Sequence, residues 1–149
     1  ALEPQPGPTE PGPSDGIAQL PTRNEYEKTY AHYWEVLAEA YRKSDPKRLE
    51  QVLYGPVLDQ ARQDIQSARA QGRGVDLHIE TDELNLIDAK ATGFRVEHLY
   101  FDSSVWVELD SGTVIPRENP PLFLEQLTFF RKVDGKWKVV ATNKQVVRE

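Results

Sequence analysis

The sequence predicts an α+β domain with helices first and antiparallel strands after. Three observations carry this reading. Apolar residues recur at spacings of three and four from Tyr26 to Ala68, the signature of amphipathic helices. From Val75 the period changes to two, as in half-buried strands. Asp134-Gly135 then stands between the last two alternating segments as a hairpin turn.

Residues 1–23 read as a leader outside this domain, which takes residues 24–149. Six of the eleven prolines fall in the leader (Pro4, Pro6, Pro8, Pro11, Pro13, Pro21), with Gly7, Gly12 and Gly16 among them. Proline removes backbone donors and glycine raises the ordering cost, so the expected form is an extended, partly polyproline-II spacer. A spacer of this kind suits a domain held off a membrane by an anchor upstream of Ala1. Pro8 and Pro11 form a P-x-x-P match with no arginine close by, which argues weakly for an SH3-type ligand.

The first helix is expected from Asn24 to Lys43, with Tyr26, Tyr30, Tyr33, Trp34, Leu37, Ala38 and Tyr41 on one face. Asn24 is its expected cap, with Glu27 in the capping-box position. Asp45 and Pro46 then cap and open a short helix carrying Leu49, Val52 and Leu53. A third helix spans about Pro56 to Gln71, with Leu58, Ala61, Ile65 and Ala68 as its apolar stripe, and Gly72 and Gly74 close it.

About four strands follow. Val75, Leu77 and Ile79 alternate with polar residues, and the phase slips at Thr81–Glu83, as at a bulge. Phe94–Leu109 reads as one long strand that changes phase, and Leu122–Val133 pairs with Lys136–Val147 in a hairpin. Strands joined by tight turns pair antiparallel, and long bulged strands curl. The helices then cover the concave face of a curved sheet, and the expected shape is a half-open cone.

Composition bounds the function. The chain has 149 residues, room for one domain. No apolar run approaches the roughly 20 residues of a membrane span. A formal net charge of −6 opposes nucleic acid as the default partner, because phosphate contacts need a positive surface. Cysteine is absent, which excludes disulfides, zinc–thiolate sites and thiol nucleophiles. No P-loop, dinucleotide fingerprint, serine elbow or HExxH occurs, and no cofactor is expected.

The aromatic helix YEKTYAHYWEVLAEAYRKSDPKRLEQVLYGPVL and the closing hairpin LEQLTFFRKVDGKWKVVATNKQ resemble the nuclear transport factor 2-like superfamily. The DGKWKV segment is typical of it. The likeness covers about Glu25 to Val147 and implies a cystatin-like cone. VLYGPVLDQARQDIQSARAQGRGV and VEHLYFDS are similar to domains displayed on bacterial envelope proteins and to the intermembrane-space domain of chloroplast-division proteins. Those relatives imply a binding or interaction module. The superfamily also holds ketosteroid isomerase-like enzymes and small polyketide cyclases, which use a carboxylate base in a dry pocket. No motif here permits a residue-by-residue transfer of those roles.

Asp102, beside Tyr100 and Phe101, is the candidate base, since burial among aromatics would raise its pKa. The competing reading makes Asp102-Ser103-Ser104 an exposed kink. Tyr30, Trp34, His98, Tyr100, Trp106 and Phe129 are the candidate pocket residues, because tyrosine and tryptophan tolerate a half-wet cavity. The competing reading has these aromatics fill the cone. His78 and His98 could be neighbours across the first hairpin, although metal binding needs a third ligand. Acidic residues 76–88 and the basic last hairpin read as solvated faces. Val105, Val107, Phe123 and Leu127 are expected on the outer sheet face, where a homodimer could form.

Binding is therefore expected ahead of catalysis, with a protein partner or a small apolar ligand. The expected setting is extracytoplasmic, by tether. The alternative is an isomerase- or cyclase-like enzyme using the cone pocket.

Overall fold

The computed structural model describes residues 22–148, so most of the predicted leader lies outside the described residues. Helix α1 spans Arg23–Lys43. Its cap is Thr22 rather than the expected Asn24: Thr22 Oγ1 accepts from the Glu25 N–H at 3.0 Å. The box register is thus Thr22–Glu25. Glu25 does not reach back to the cap, because its carboxylate accepts the Trp137 indole N–H at 2.8 Å. That bond ties the start of α1 to the last strand, 112 residues away in sequence.

Ser44 ends α1 in the left-handed region at φ 47° and donates from its buried hydroxyl to the Arg73 carbonyl at 2.6 Å. The helix expected from Asp45 is a turn leading to a three-residue 3-10 segment, Leu49–Gln51. Asp45 Oδ1 accepts from Lys47 N–H at 3.0 Å, so this aspartate shapes a turn instead of capping a helix. Helix α2 is Pro56–Ala70, with Gly55 before it at φ 78°. Ala61, Ile65 and Ala68 are its buried stripe.

Seven strands follow, where about four were expected: β1 Arg73–Asp76, β2 Ile79–Lys90, β3 Gly93–Asp102, β4 Val105–Glu108, β5 Val114–Ile115, β6 Leu122–Val133 and β7 Lys136–Arg148. They form two antiparallel sheets, β1-β4-β5 and β2-β3-β6-β7. Two of the three extra strands arise because both long segments break, at Leu77-His78 and at Ser103-Ser104, and the third is the short β5 beyond the Asp110–Gly112 turn. Paired bonds span the two breaks: Ser103 N–H donates to the His78 carbonyl at 3.0 Å, and His78 N–H to Ser104 Oγ at 3.1 Å. Both chains therefore leave one sheet and enter the other together. The bulge expected in β2 is present as a register shift between Thr81 and Glu83.

Phe94, Val96, His98 and Tyr100 on β3, and Leu124, Gln126, Thr128 and Phe130 on β6, are buried. This is the face α1 covers with Tyr26, Tyr30, Tyr33, Val36, Leu37 and Ala40. Phe94 and Phe130 stack at 4.7 Å, and Trp137 meets Phe94 edge-on at 4.8 Å. Two helices on a bulged antiparallel sheet make the α+β cone that the sequence predicted.

The break at Ser103-Ser104 changes which residues face out. Val107, expected on the outer face, is fully buried opposite Gly74 in the smaller sheet, and Trp106 is 42% exposed. The larger sheet's outer face instead carries Phe101 against Phe123 at 4.7 Å, and Arg95 over the Phe129 ring.

Candidate functional site

Between α1 and the strands β2 and β3 lies a cleft of about 420 Å³. Its apolar wall is Ala31, Ala38, Leu77, Ile79 and Leu84. The 3.6-residue period of α1 brings Tyr30 and Trp34 to the same wall, and alternation in β3 turns His98 toward them. Glu27, one helical turn before Tyr30, and Glu35, next to Trp34, stand at the exposed rim.

The cleft floor is a chain of hydrogen bonds. The Tyr30 hydroxyl is 2.8 Å from His98 Nδ1, and His98 Nε2 is 2.8 Å from Thr81 Oγ1. Burial drops the His98 pKa to about 4, from an ordinary 6.5. The ring is therefore neutral at physiological pH, with one donor and one acceptor nitrogen, and both are engaged. Burial also pushes Tyr30 up to about 12, against opposing contacts from Trp34 and Thr128. The floor thus offers hydrogen bonds without charge.

A second polar group lies beneath. Tyr100 donates to Gln126 Oε1 at 2.8 Å, and Gln126 Nε2 donates to Thr128 Oγ1 at 2.9 Å. The Tyr33 hydroxyl completes it at 3.5 Å. Burial raises Tyr33 and Tyr100 far above the usual phenol range. Trp34 touches both groups, with ring centroids 6.1 Å from His98 and 5.8 Å from Tyr100. Its indole nitrogen is enclosed and finds no acceptor of sound geometry among the described residues.

Of the sequence candidates, the structure brings together Tyr30, Trp34, His98 and Tyr100. Trp106 and Phe129 stand apart. The strand break carries Trp106 into the smaller sheet, and odd phase turns Phe129 to the outer face beneath Arg95. Asp102 ends β3 and lines neither this cleft nor the one beside α2; its Oδ1 accepts the Ser104 N–H at 2.9 Å. His78 is not opposite His98, whose register partner is Leu84; its ring faces Asp76 at 3.2 Å. Sequence reading missed Gln126, Thr128 and Thr81. Counting β6 by twos from Leu124 to Phe130 places Gln126 and Thr128 on the inward face, and that pattern was available in the sequence.

A second cleft of about 370 Å³ opens on the other side of Trp34, between α1, α2, β6 and β7. Tyr41, Leu53, Val57 and Ala61 line it, with Gln60, Asp64, Gln126, Thr142 and Lys144 as its polar groups. Trp34 and Leu77 belong to both clefts and part them.

No protein-family model matches the sequence, and no curated protein matches it. Solved structures do match. The intermembrane-space region of the chloroplast protein ARC6 superposes with a TM-score of 0.63 at 13% identity, covering 84% of this chain and 97% of that one. A nuclear transport factor 2-like protein from Salmonella enterica serovar Typhimurium gives 0.56 at 11% identity, over 86% and 95%. A ketosteroid isomerase-like protein from Erwinia carotovora gives 0.51 at 16%, over 85% and 99%. With the helices on the concave face of the sheet and the cleft beneath α1, the chain has the cone fold of these solved structures, which include nuclear transport factor 2-like and cystatin-like proteins.

Proposed function

We propose that the domain binds a small, mostly apolar ligand in the cleft beneath α1. One observation carries this reading: an apolar cleft of about 420 Å³ converges on an uncharged hydrogen-bonding floor of Tyr30, His98 and Thr81. Ligand sites typically occupy roughly 300–1,000 Å³ and combine apolar walls with a few fixed polar groups. The carboxylates lining the cleft, Glu27 and Glu35, sit on its exposed rim rather than its floor. Binding therefore accounts for the arrangement better than carboxylate-based catalysis. The test is titration with a neutral naphthylamine dye, followed by fluorescence. Saturable binding that weakens in Ala31→Tyr, which adds bulk at the cleft wall, supports the reading. Absence of saturable binding rejects it.

The proposed setting is extracytoplasmic, with the proline-rich leader as tether. The leader's composition and the fold likeness to an intermembrane-space region support it. Fusing the full-length protein to a reporter active only outside the cytoplasm tests this, and a signal confined to the cytoplasm would reject it.

A further inference from the structure

The two clefts differ in polarity and share a wall. The cleft beneath α1 is apolar with an acidic rim, where Glu27 pairs with Arg23 at 3.8 Å and Glu35 faces His32 at 3.5 Å. The cleft beside α2 holds an amine: Lys144, opposite Gln126 in the β6–β7 register, brings its charge to the inward side of β7. Trp34 and Leu77 form the waist between them.

Lys144 has no ion pair among the described residues. The two nearby carboxylates are already engaged, Asp64 by the Gln60 amide at 3.0 Å and Asp102 by the Ser104 N–H at 2.9 Å. Lys144 is exposed as a residue, yet surrounding protein lowers its pKa, and Asp102 opposes this only as the lesser influence. A partly desolvated ammonium without a partner gains from an incoming anion, because charge-assisted hydrogen bonds are among the stronger ones.

We propose that the two clefts form one groove for an apolar carboxylic acid, with the acid group on Lys144 and the hydrocarbon body running past Trp34 and Leu77 into the cleft beneath α1. This rests on the binding reading above and names the ligand class for it. The charge pattern fixes the orientation. Lys144 is the cation lining the cleft beside α2, with Asp64 held by Gln60 as the opposing charge there, whereas the cleft beneath α1 is lined by Glu27 and Glu35 and by no lysine or arginine among the described residues. The Gln126 amide and the Thr142 hydroxyl beside Lys144 supply further polar contacts at the acid end.

The experiment compares decanoate with decan-1-ol as competitors of the neutral dye, in wild type and in Lys144→Gln. Lys144 is exposed on a strand, so the variant is expected to fold, with circular dichroism as the check. Wild type is expected to bind decanoate about tenfold more tightly than decanol, a difference on the scale of one charged hydrogen bond. In Lys144→Gln that preference falls to about one, while decanol binds as before. Equal binding of acid and alcohol by wild type overturns the proposal and leaves the cleft reading standing. So does a preference that survives Lys144→Gln. If neither compound binds, both readings fail.

Discussion

The Tyr30 hydroxyl stands 2.8 Å from His98 Nδ1, joining the middle of α1 to the middle of β3 between residues 68 apart in sequence. Both residues are nearly fully buried, at 3% and 2% exposure, so neither group has water as an alternative partner. Tyr30→Phe keeps the ring and its edge contacts to Trp34 and Phe130, and strands the histidine nitrogen. The expected loss is about 1–3 kcal/mol. In a double-mutant cycle with His98→Leu, the two losses should be clearly non-additive by urea unfolding, since the apolar pair leaves no unmet acceptor. Additive losses would mean the contact contributes nothing.

His98 also sets a pH dependence. Its pKa is about 4 in the folded chain against an ordinary 6.5, so between these values the unfolded state binds more protons. The stability contributed by neutral His98 is fully present above pH 6.5 and is lost as pH falls toward 4, with a slope of at most about 1.4 kcal/mol per pH unit. Denaturant unfolding from pH 8 to 4 should show wild type losing stability more steeply than His98→Gln in this window. Parallel curves would remove the assignment.

The cap of α1 offers a local test. Thr22→Ala removes the acceptor for the Glu25 N–H and is expected to cost about 1 kcal/mol, whereas Asn24→Ala, inside the helix, should be near neutral by thermal unfolding. The reverse ranking would restore Asn24 as the cap.

Gly74 sits where β1 crosses the end of α1. A Cβ there would fall inside contact distance of the Arg42 backbone carbonyl, and backbone cannot swing aside as a flexible side chain can. Gly74→Ala should therefore destabilise by about 1–3 kcal/mol, while the reverse substitution at an exposed helix end, Ala70→Gly, should cost only about 1 kcal/mol or less. Chemical unfolding measures both.

Much of this fold is legible in the sequence because local rules govern it. The period of 3.6 places Tyr26, Tyr30 and Tyr33 on one face of α1, and Asp134-Gly135 sets the β6–β7 hairpin at the expected residues. What local rules miss are events settled by distant partners. The breaks at Leu77-His78 and Ser103-Ser104 leave no slip in the alternation at those positions, since their cause is that each segment pairs in two sheets. Trp106 and Val107 exchange roles for this reason. Likewise nothing local in the sequence assigns Glu25 to Trp137, which reaches it from the far end of the chain. The site was half legible: the aromatics of α1 follow helical spacing and the alternation of β6 turns Gln126 and Thr128 inward, whereas Thr81 enters only through its bond to His98.

The central claim, ligand binding beneath α1, is tested most directly by the three tryptophan indole signals in a proton–nitrogen correlation spectrum. Each is assigned by a single Trp→Phe variant and followed during titration with decan-1-ol. The cleft reading requires the Trp34 signal to move saturably while that of Trp106, exposed on β4, stays in place. A Trp34 signal that remains still at saturating alcohol, or one that follows only a shift of Trp106, would contradict it.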